Sequence, residues 1–112
     1  MSDFITKDSG QRQTFASGMQ RDSGQKTLRP DLLPGAMLVR WAELMGRGAI
    51  KYSPRNWEKA DSQEDLDRFR EGAFRHFVQW FFGLDTEEDH AAAVFFNING
   101  VEYVEQNKKG PI

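Results

Sequence analysis

Acidic side chains are concentrated in one short stretch of the sequence. Four acids and a histidine fall within six residues, Asp85-Thr86-Glu87-Glu88-Asp89-His90. Hard divalent cations prefer carboxylate oxygens, so Glu87, Glu88 and Asp89 are candidate metal ligands. A cation held there could bridge phosphate oxygens and lower the pKa of an attacking water. The alternative is that these acids only cap a helix, because the helix dipole favours negative charge in the first turn.

A histidine and an asparagine fall on the same predicted helix face as one of these acids. Glu87, His90 and Asn97 occupy positions i, i+3 and i+10, on a face that they share with Val94 and Val101. Buried polar side chains need hydrogen-bond partners. His90 and Asn97 therefore form either a satisfied pair in the core or one wall of a polar pocket between helices, and both interpretations stay open.

A second histidine lies in the preceding helical stretch, next to an arginine and among aromatic residues. Arg75 stands one helical turn after Glu71, so the two can form an ion pair. A guanidinium held by a carboxylate is also a good fork for a phosphate group. A lone histidine such as His76 in an aromatic setting is usually structural.

The loop Gly48–Lys59 interleaves bases with aromatic rings. Lys51 and Arg55 offer cations for phosphates, Tyr52 and Trp57 offer π-faces for a base, and Asn56 can read a base edge. The alternative is that Trp57 packs the loop onto the helices while the charges are solvated. We favour ligand binding, because loops on rigid scaffolds commonly carry function.

Three helices are predicted to position these residues. The first begins near Asp31 and ends near Gly46 and Gly48. The second begins with the capping box Ser62-x-x-Asp65 and ends at Gly83. Its predicted buried stripe consists of Leu66, Phe69, Ala73, Phe77, Trp80 and Leu84.

The third helix is predicted from a capping box, Thr86-x-x-Asp89, to about Gln106. It is apolar almost all round, which one neighbouring helix in a small domain cannot cover, so we expect self-association. No strand is predicted. The fold class is therefore all-α: a small oligomeric bundle of three main helices with an irregular N-terminal arm.

The N-terminal arm, residues 1–29, is polar and shows neither a helical nor a strand period, whereas residues 30–112 form the predicted helical nucleotide-binding domain. The arm contains a near-repeat, Asp8-Ser9-Gly10-Gln11-Arg12 and Asp22-Ser23-Gly24-Gln25-Lys26. Gly-rich turns beside basic residues can wrap a phosphate with backbone N–H groups. The simpler interpretation, which we favour, is a flexible or partner-dependent arm.

Composition excludes several classes of function. The 112 residues include no cysteine, so neither a disulfide nor a thiolate zinc site is possible. No apolar run approaches the roughly 20 residues of a membrane span, and the first residues lack signal-peptide features. We therefore expect a cytoplasmic protein, in the host cytoplasm if phage-encoded, and no membrane partner. The net charge of −2 argues against a long nucleic acid as partner.

Taken in order, these residues resemble the phage dATP/dGTP diphosphohydrolase domain family over about residues 15–105. The motifs that carry the resemblance are Phe15-x-Ser17-Gly18, Arg21-Asp22, Gly24-x-Lys26, Asp31-Leu32-Leu33-Pro34, Gly48-Ala49-x-Lys51-Tyr52-x-x-x-Asn56-Trp57, Arg75-His76, Glu88-Asp89-His90 and Asn97.

The resemblance implies an all-α enzyme similar to the MazG-type nucleoside triphosphate pyrophosphohydrolases, which hold divalent metals on acidic side chains and work as dimers or tetramers. On this chain the metal, Mg²⁺, Mn²⁺ or Co²⁺, would be held by Glu87, Glu88 and Asp89 with help from Glu71 or Glu43. The chain departs from that pattern, because the E-x-x-D motif of the MazG type is missing.

The resemblance also implies residue roles. Glu88, Asp89 and His76 would be catalytic. The expected nucleotide contacts are Lys51, Tyr52, Arg55, Asn56, Trp57, Arg75, His90 and Asn97.

The leading hypothesis for the function is hydrolysis of a purine deoxynucleoside triphosphate to the monophosphate and pyrophosphate. The alternative is a small helical oligomer that sequesters a nucleotide without cleaving it, such as a cyclic dinucleotide immune signal. A purely structural or protein-interaction module would leave the loop from Lys51 to Trp57 unexplained.

Overall fold

The computed structural model describes residues 4–109 of the chain, so the outermost residues of both predicted segments, 1–3 and 110–112, lie outside the described residues. The contacts divide the chain into two units, one ending at Leu33 and the other beginning at Pro34. None of the helices within residues 4–109 has the length and apolar character needed to cross a membrane.

The first unit contains a short antiparallel hairpin, so the prediction of an irregular arm without strands was wrong at this point. Strand β1, Arg12–Thr14, pairs with β2, Gln20–Asp22, in the register that places Gln13 opposite Arg21. Each strand has three residues and no buried apolar side chain. Strands this short and exposed leave no alternating hydrophobic pattern in the sequence, which explains why periodicity missed them.

The near-repeat of the first unit has a structural role. Asp8 accepts a hydrogen bond from the Gly10 amide at 2.8 Å, and Asp22 accepts one from the Gly24 amide at 2.7 Å. These are the same local turn, in which an Asp side chain bonds the backbone two residues on. Asp22 also accepts from the Ser9 amide at 2.8 Å, which ties the two copies together. Both glycine amides that might have wrapped a phosphate are therefore bonded to carboxylates of the chain itself.

Helix α1, Gly35–Lys51, begins later and ends later than predicted. Pro30–Leu32 forms a separate 3₁₀ turn, because Leu33 precedes Pro34 and takes an extended conformation. Gly46 and Gly48 lie inside the helix. A glycine ends a helix only when it adopts a left-handed conformation, and neither does so here. An interior glycine costs only about 1 kcal/mol, which the rest of the helix can offset.

Helix α2, Gln63–Phe82, confirms both of its predicted ends. The Ser62 hydroxyl accepts from the Asp65 amide at 3.1 Å, while the Asp65 carboxylate accepts from the Ser62 amide at 3.3 Å. Gly83 closes the helix in a left-handed conformation with φ 65°. These are purely local signals, so the sequence alone was sufficient.

Helix α3, His90–Lys109, begins later than predicted, and the capping box at Thr86 was wrong. Asp89 caps the helix by accepting from the Ala92 amide at 3.1 Å. Asp85 has a positive φ of 46°, which separates the preceding turn from the helix. The acids at 85–88 therefore precede α3 rather than occupying its first turn, and Glu87 does not share a helix face with His90 and Asn97.

Helices α2 and α3 pack antiparallel, as successive contacts show: Arg70 with Glu105, Phe69 with Phe96, and His76 with His90. Leu66 and Val104 form the core between their outer ends, where Ala60 joins them. The predicted buried stripe of α2 holds only in its first half. Phe77, Trp80 and Leu84 are about half exposed, because nothing in the described part of the chain covers the second half of the helix.

Candidate functional site

The three helices and the loop after α1 enclose a groove of about 1070 Å³ in the second unit. This volume lies just above the usual range of ligand sites, about 300–1,000 Å³. The predicted site residues that line it are Glu43, Lys51, Tyr52, Arg55, Asn56, Trp57, Arg75, His76, Glu87, Glu88, Asp89 and Asn97. Glu71 and His90 do not line it. The groove therefore collects most of the residues that sequence analysis had assigned to separate motifs.

Two contacts between elements identify the two ends of the groove. Arg40, near the start of α1, bonds Asp89 at the start of α3. Beyond the other end of α1, the Tyr103 hydroxyl donates to the Glu58 carbonyl at 3.0 Å. The acids at 87–89 and the bases and aromatics of the loop therefore lie at opposite ends of α3. We call them the acidic end, residues 85–90, and the loop end, residues 51–59.

At the acidic end, Asp89 is fully engaged. Arg40 grips it with Nε at 2.8 Å from Oδ2 and Nη2 at 2.6 Å from Oδ1, and Oδ1 also accepts from the Ala92 amide. These bonds, the Arg40 bond first, lower the pKa of the Asp89 carboxyl to about 2. The carboxylate fixes the start of α3 against α1, and its oxygens are committed to protein partners.

Glu87 and Glu88 differ from Asp89. Both side chains are exposed on the groove, and neither forms an ion pair with a side chain of residues 4–107. Glu43 on α1 lines the same groove and is equally unpaired among the described residues. Three carboxylates without a protein partner are suitable oxygen donors for a hard cation.

One further grouping has spacing suited to a metal. A ligand atom from each of Asp85, Glu88 and His90 lies within 4.8 Å of the others. Both ring nitrogens of His90 are already engaged, however, Nδ1 with His76 at 2.9 Å and Nε2 with the Asp85 carbonyl at 2.6 Å. The carboxylates are therefore the freer donors of this set.

The two histidines have a defined proton arrangement. The Asp85 carbonyl can only accept, so Nε2 of His90 carries a proton and donates to it. When Nε2 carries the only ring proton of His90, its Nδ1 is an acceptor, and Nδ1 of His76 donates to it. Nε2 of His76 is left with a free lone pair. Burial, Arg75 and His90 together lower the pKa of His76, which favours this neutral form.

The predicted pair of Arg75 and Glu71 is confirmed, with Nε donating to Oε1 at 3.0 Å. Arg68 bonds the other oxygen of Glu71. Arg75 lowers the pKa of the Glu71 carboxyl most. Glu71 thus holds two guanidinium groups at the groove wall.

The floor of the groove lies where α2 and α3 pack closely against each other. A Cβ on Gly72 would lie 2.6 Å from Oδ1 of Asn97, so only glycine allows this packing. Nδ2 of Asn97 donates to the Ala93 carbonyl at 2.8 Å. His90 and Asn97 are both buried, and the structure combines the two open interpretations: His90 is a satisfied core residue, whereas Asn97 also lines the groove.

At the loop end, Trp57 is held by packing. Its ring meets Tyr103 edge-on at 5.0 Å between centroids, and Arg55 pairs with Glu58 at 3.0 Å. The packing interpretation of Trp57 therefore applies, although the residue also borders the groove. Tyr52 is exposed, with Nζ of Lys51 5.1 Å from its ring centroid, and both remain open to a ligand.

Arg47 and Gly72 are among the groove residues that were not predicted from the sequence. Arg47 lines the groove between Glu43 and Lys51 and has no ion-pair partner among residues 4–109. Two cations at i and i+4 repel each other, so Arg47 and Lys51 together indicate an anion-binding wall. In the sequence, the available signal for Arg47 was its spacing of four residues from both Glu43 and Lys51. For Gly72, the signal was a glycine in the middle of a helix, where it costs stability unless a close approach needs it.

Comparisons with known proteins add one finding. The family model for dATP/dGTP diphosphohydrolase, N-terminal, matches residues 17–110. No curated protein matches the chain. No solved structure matches it either.

Proposed function

This chain belongs to the dATP/dGTP diphosphohydrolase N-terminal family, and on that basis we propose that its groove hydrolyses a purine deoxynucleoside triphosphate. The products would be the nucleoside monophosphate and pyrophosphate. The observation that carries the proposal is that one groove is lined both by carboxylates and by cations that form no ion pair among the described side chains. A polyphosphate accompanied by a divalent cation is the ligand that needs both.

The residues present fit a divalent cation such as Mg²⁺, Mn²⁺ or Co²⁺. Glu87, Glu88 and Glu43 supply carboxylates that have no other partner in the described part of the chain. A cation held there would neutralise charge on the phosphate oxygens and lower the pKa of water. Asp89 contributes indirectly, because its bonds to Arg40 and to the Ala92 amide fix the turn that carries Glu87 and Glu88.

The chain's own groups complete the reaction. Water attacks the α-phosphorus, and the bond from that phosphorus to the bridging oxygen breaks, so pyrophosphate leaves with the electron pair. The proton of the water passes to the lone pair on Nε2 of His76. Arg47 and Lys51 bind the phosphate oxygens of the substrate, and Arg75 balances the charge that develops on the phosphates. Tyr52 and Asn56 border the space left for the nucleoside.

A second candidate is sequestration of a nucleotide without cleavage. Two observations favour it. Asp89 and Glu71, two of the acids predicted as metal ligands, are committed to arginines. In addition, the family match is to an N-terminal domain. This function requires metal-independent binding and recovery of the unchanged nucleotide.

One experiment separates the two functions. The purified chain is incubated with the four dNTPs and with cyclic dinucleotides, with Mg²⁺, Mn²⁺ or Co²⁺ and with EDTA, and the products are separated by chromatography. Purine monophosphate and pyrophosphate that appear only with metal support hydrolysis. Intact nucleotide that stays bound in EDTA and is released on denaturation contradicts hydrolysis and supports sequestration.

The second half of α2 supports a further part of the proposal, that the chain works as a homo-oligomer. Its aromatic rings are exposed: Phe74 by 72%, Trp80 by 55% and Phe82 by 67%. Phe77, Trp80, Phe81 and Phe82 also contact one another. Five such rings expose roughly 600 Å² of aromatic surface. That is close to the ~800 Å² which each partner contributes to a standard interface.

The oligomer is tested by analytical ultracentrifugation of wild type, Phe81→Glu and, as a control that adds the same charge elsewhere, Asn107→Glu. We expect a dimer or larger assembly for wild type and the control, and dissociation for Phe81→Glu. A monomeric wild type at micromolar concentration would contradict the proposal.

A further inference from the structure

Asn97 presents a hydrogen-bond acceptor at the floor of the groove. The residue is 9% exposed, and Nδ2 donates to the Ala93 carbonyl at 2.8 Å. Because that carbonyl can only accept, the amide cannot flip, and Oδ1 must take the other position. There Oδ1 faces Gly72, and within residues 4–109 it has no hydrogen-bond partner.

The surrounding packing keeps the oxygen in place. Gly72 removes the side chain that would otherwise stand 2.6 Å from Oδ1, and the bond to Ala93 holds the amide from the other side. Oδ1 is not among the buried polar atoms without a partner, so it keeps access to the groove. A ligand that covers Oδ1 without supplying an N–H or O–H leaves a buried acceptor without a donor, which is unfavourable. The groove floor is therefore selective for a hydrogen-bond donor.

A nucleoside triphosphate has its donors in only one part. At neutral pH its phosphates carry acceptors, whereas N–H and O–H groups belong to the base and the sugar. Resting on the nucleotide function proposed above, we propose that Asn97 is a specificity-determining residue that receives a donor of the nucleoside. The phosphates are then directed towards Arg47 and the acidic end. The donor is either the exocyclic amine of the base or the 3′-hydroxyl of the sugar.

The test uses binding without turnover and probes that lack one donor each. Affinities for wild type are measured by calorimetry for dATP, for 2′,3′-dideoxyATP, which lacks the sugar hydroxyl, and for purine deoxyriboside triphosphate, which lacks the amine. We expect one of the two analogues to bind about tenfold more weakly than dATP. Equal affinities for all three probes would overturn the inference without any mutation.

Variants then identify the residue that discriminates. Asn97→Leu keeps the side-chain volume but removes the acceptor, so the weaker analogue and dATP should bind with equal affinity. Asn107→Leu, on an exposed position of α3, is the matched control and should keep the tenfold difference. A merely structural role for Asn97 would weaken all probes alike and leave the ratio unchanged, which contradicts the inference. Asn97→Ala, which also removes the acceptor, provides the same comparison if the leucine variant does not fold.

The outcomes for the inference and for the proposed function are distinct. Binding without discrimination overturns the inference and leaves hydrolysis to be judged by its products. Discrimination that depends on Asn97, without formation of monophosphate, supports the inference and overturns hydrolysis. Absence of any nucleotide binding overturns both.

Discussion

The acidic end and the loop end of the groove are both rich in charge, but they are built differently. At the acidic end, Asp89 is locked by Arg40 and by the first turn of α3, while its neighbours Glu87 and Glu88 remain unpaired. At the loop end, Trp57 and Arg55 are used by the protein, while Lys51 and Tyr52 remain open. Each end thus combines side chains that fix the backbone with side chains left for a ligand.

The two ends differ in the charge of the side chains that have no protein partner, and in what those side chains can bind. Open carboxylates suit the chemistry at the α-phosphorus, whereas open cations on α1 suit binding of the polyphosphate. Substitutions at the acidic end should therefore act mainly on kcat. Substitutions of Arg47 and Lys51, which we call the cationic wall, should act mainly on KM.

The largest effect is expected from Glu88→Gln. Loss of this carboxylate removes one of the proposed metal ligands, so kcat should fall at least about a hundredfold. Glu102→Gln, an exposed acid of α3 outside the groove, is the control and should leave kcat unchanged. Steady-state release of pyrophosphate measures both. A fall in kcat of less than about threefold for Glu88→Gln would contradict the assignment of catalysis to the acidic end and of binding to the cationic wall.

A smaller effect is expected on the cationic wall. Arg47→Met or Lys51→Met removes one charge from the polyphosphate, so KM should rise about tenfold with kcat changed much less. Arg70→Met removes an arginine that pairs with Glu105 outside the groove and serves as the control. A fall in kcat with constant KM would show that these cations act on the transition state rather than on binding.

The comparison also explains what the sequence could reveal. Local signals were sufficient where one element determines the outcome, as at Ser62, at Gly83 and in the pair of Arg75 with Glu71. Thr86 and Gly48 failed as helix boundaries, because their effect depends on backbone conformations that the neighbouring structure selects. The residues of the groove were largely recognised by type, since cations, aromatics and acids are unusual in such density.

Two properties of the molecule could not be predicted from the sequence. Which acids are free depends on contacts across 49 residues, as between Arg40 and Asp89, and no periodicity reports such a pair. The aromatic stripe of α2 correctly indicated an apolar face, but a hydrophobic period cannot say whether the chain itself covers that face. Arg47 was not predicted as a site residue, because in the sequence it looks like a solvated charge beside Glu43.

The smallest effect is expected from the locked member of the acidic end, Asp89→Asn. It should lower the free energy of unfolding at pH 7 by about 1–2 kcal/mol, because the neutral amide still caps α3 but loses the charge-assisted fork to Arg40. The folded state holds the pKa of Asp89 at about 2, below its usual value near 3.8. The stabilisation is therefore complete above about pH 4 and is lost as the pH falls through 2.

Urea denaturation in EDTA at pH 7, 4 and 3 measures this difference between wild type and Asp89→Asn. The gap should narrow only at the lowest pH. Arg40→Met should lower the free energy of unfolding by the same amount as Asp89→Asn. The double variant should be as stable as either single variant within experimental error. A gap that persists undiminished at pH 3 and below would show that Asp89 stabilises the fold through its cap alone. In that case its carboxylate charge would be free for the ligand, and the contrast with Glu88 would disappear.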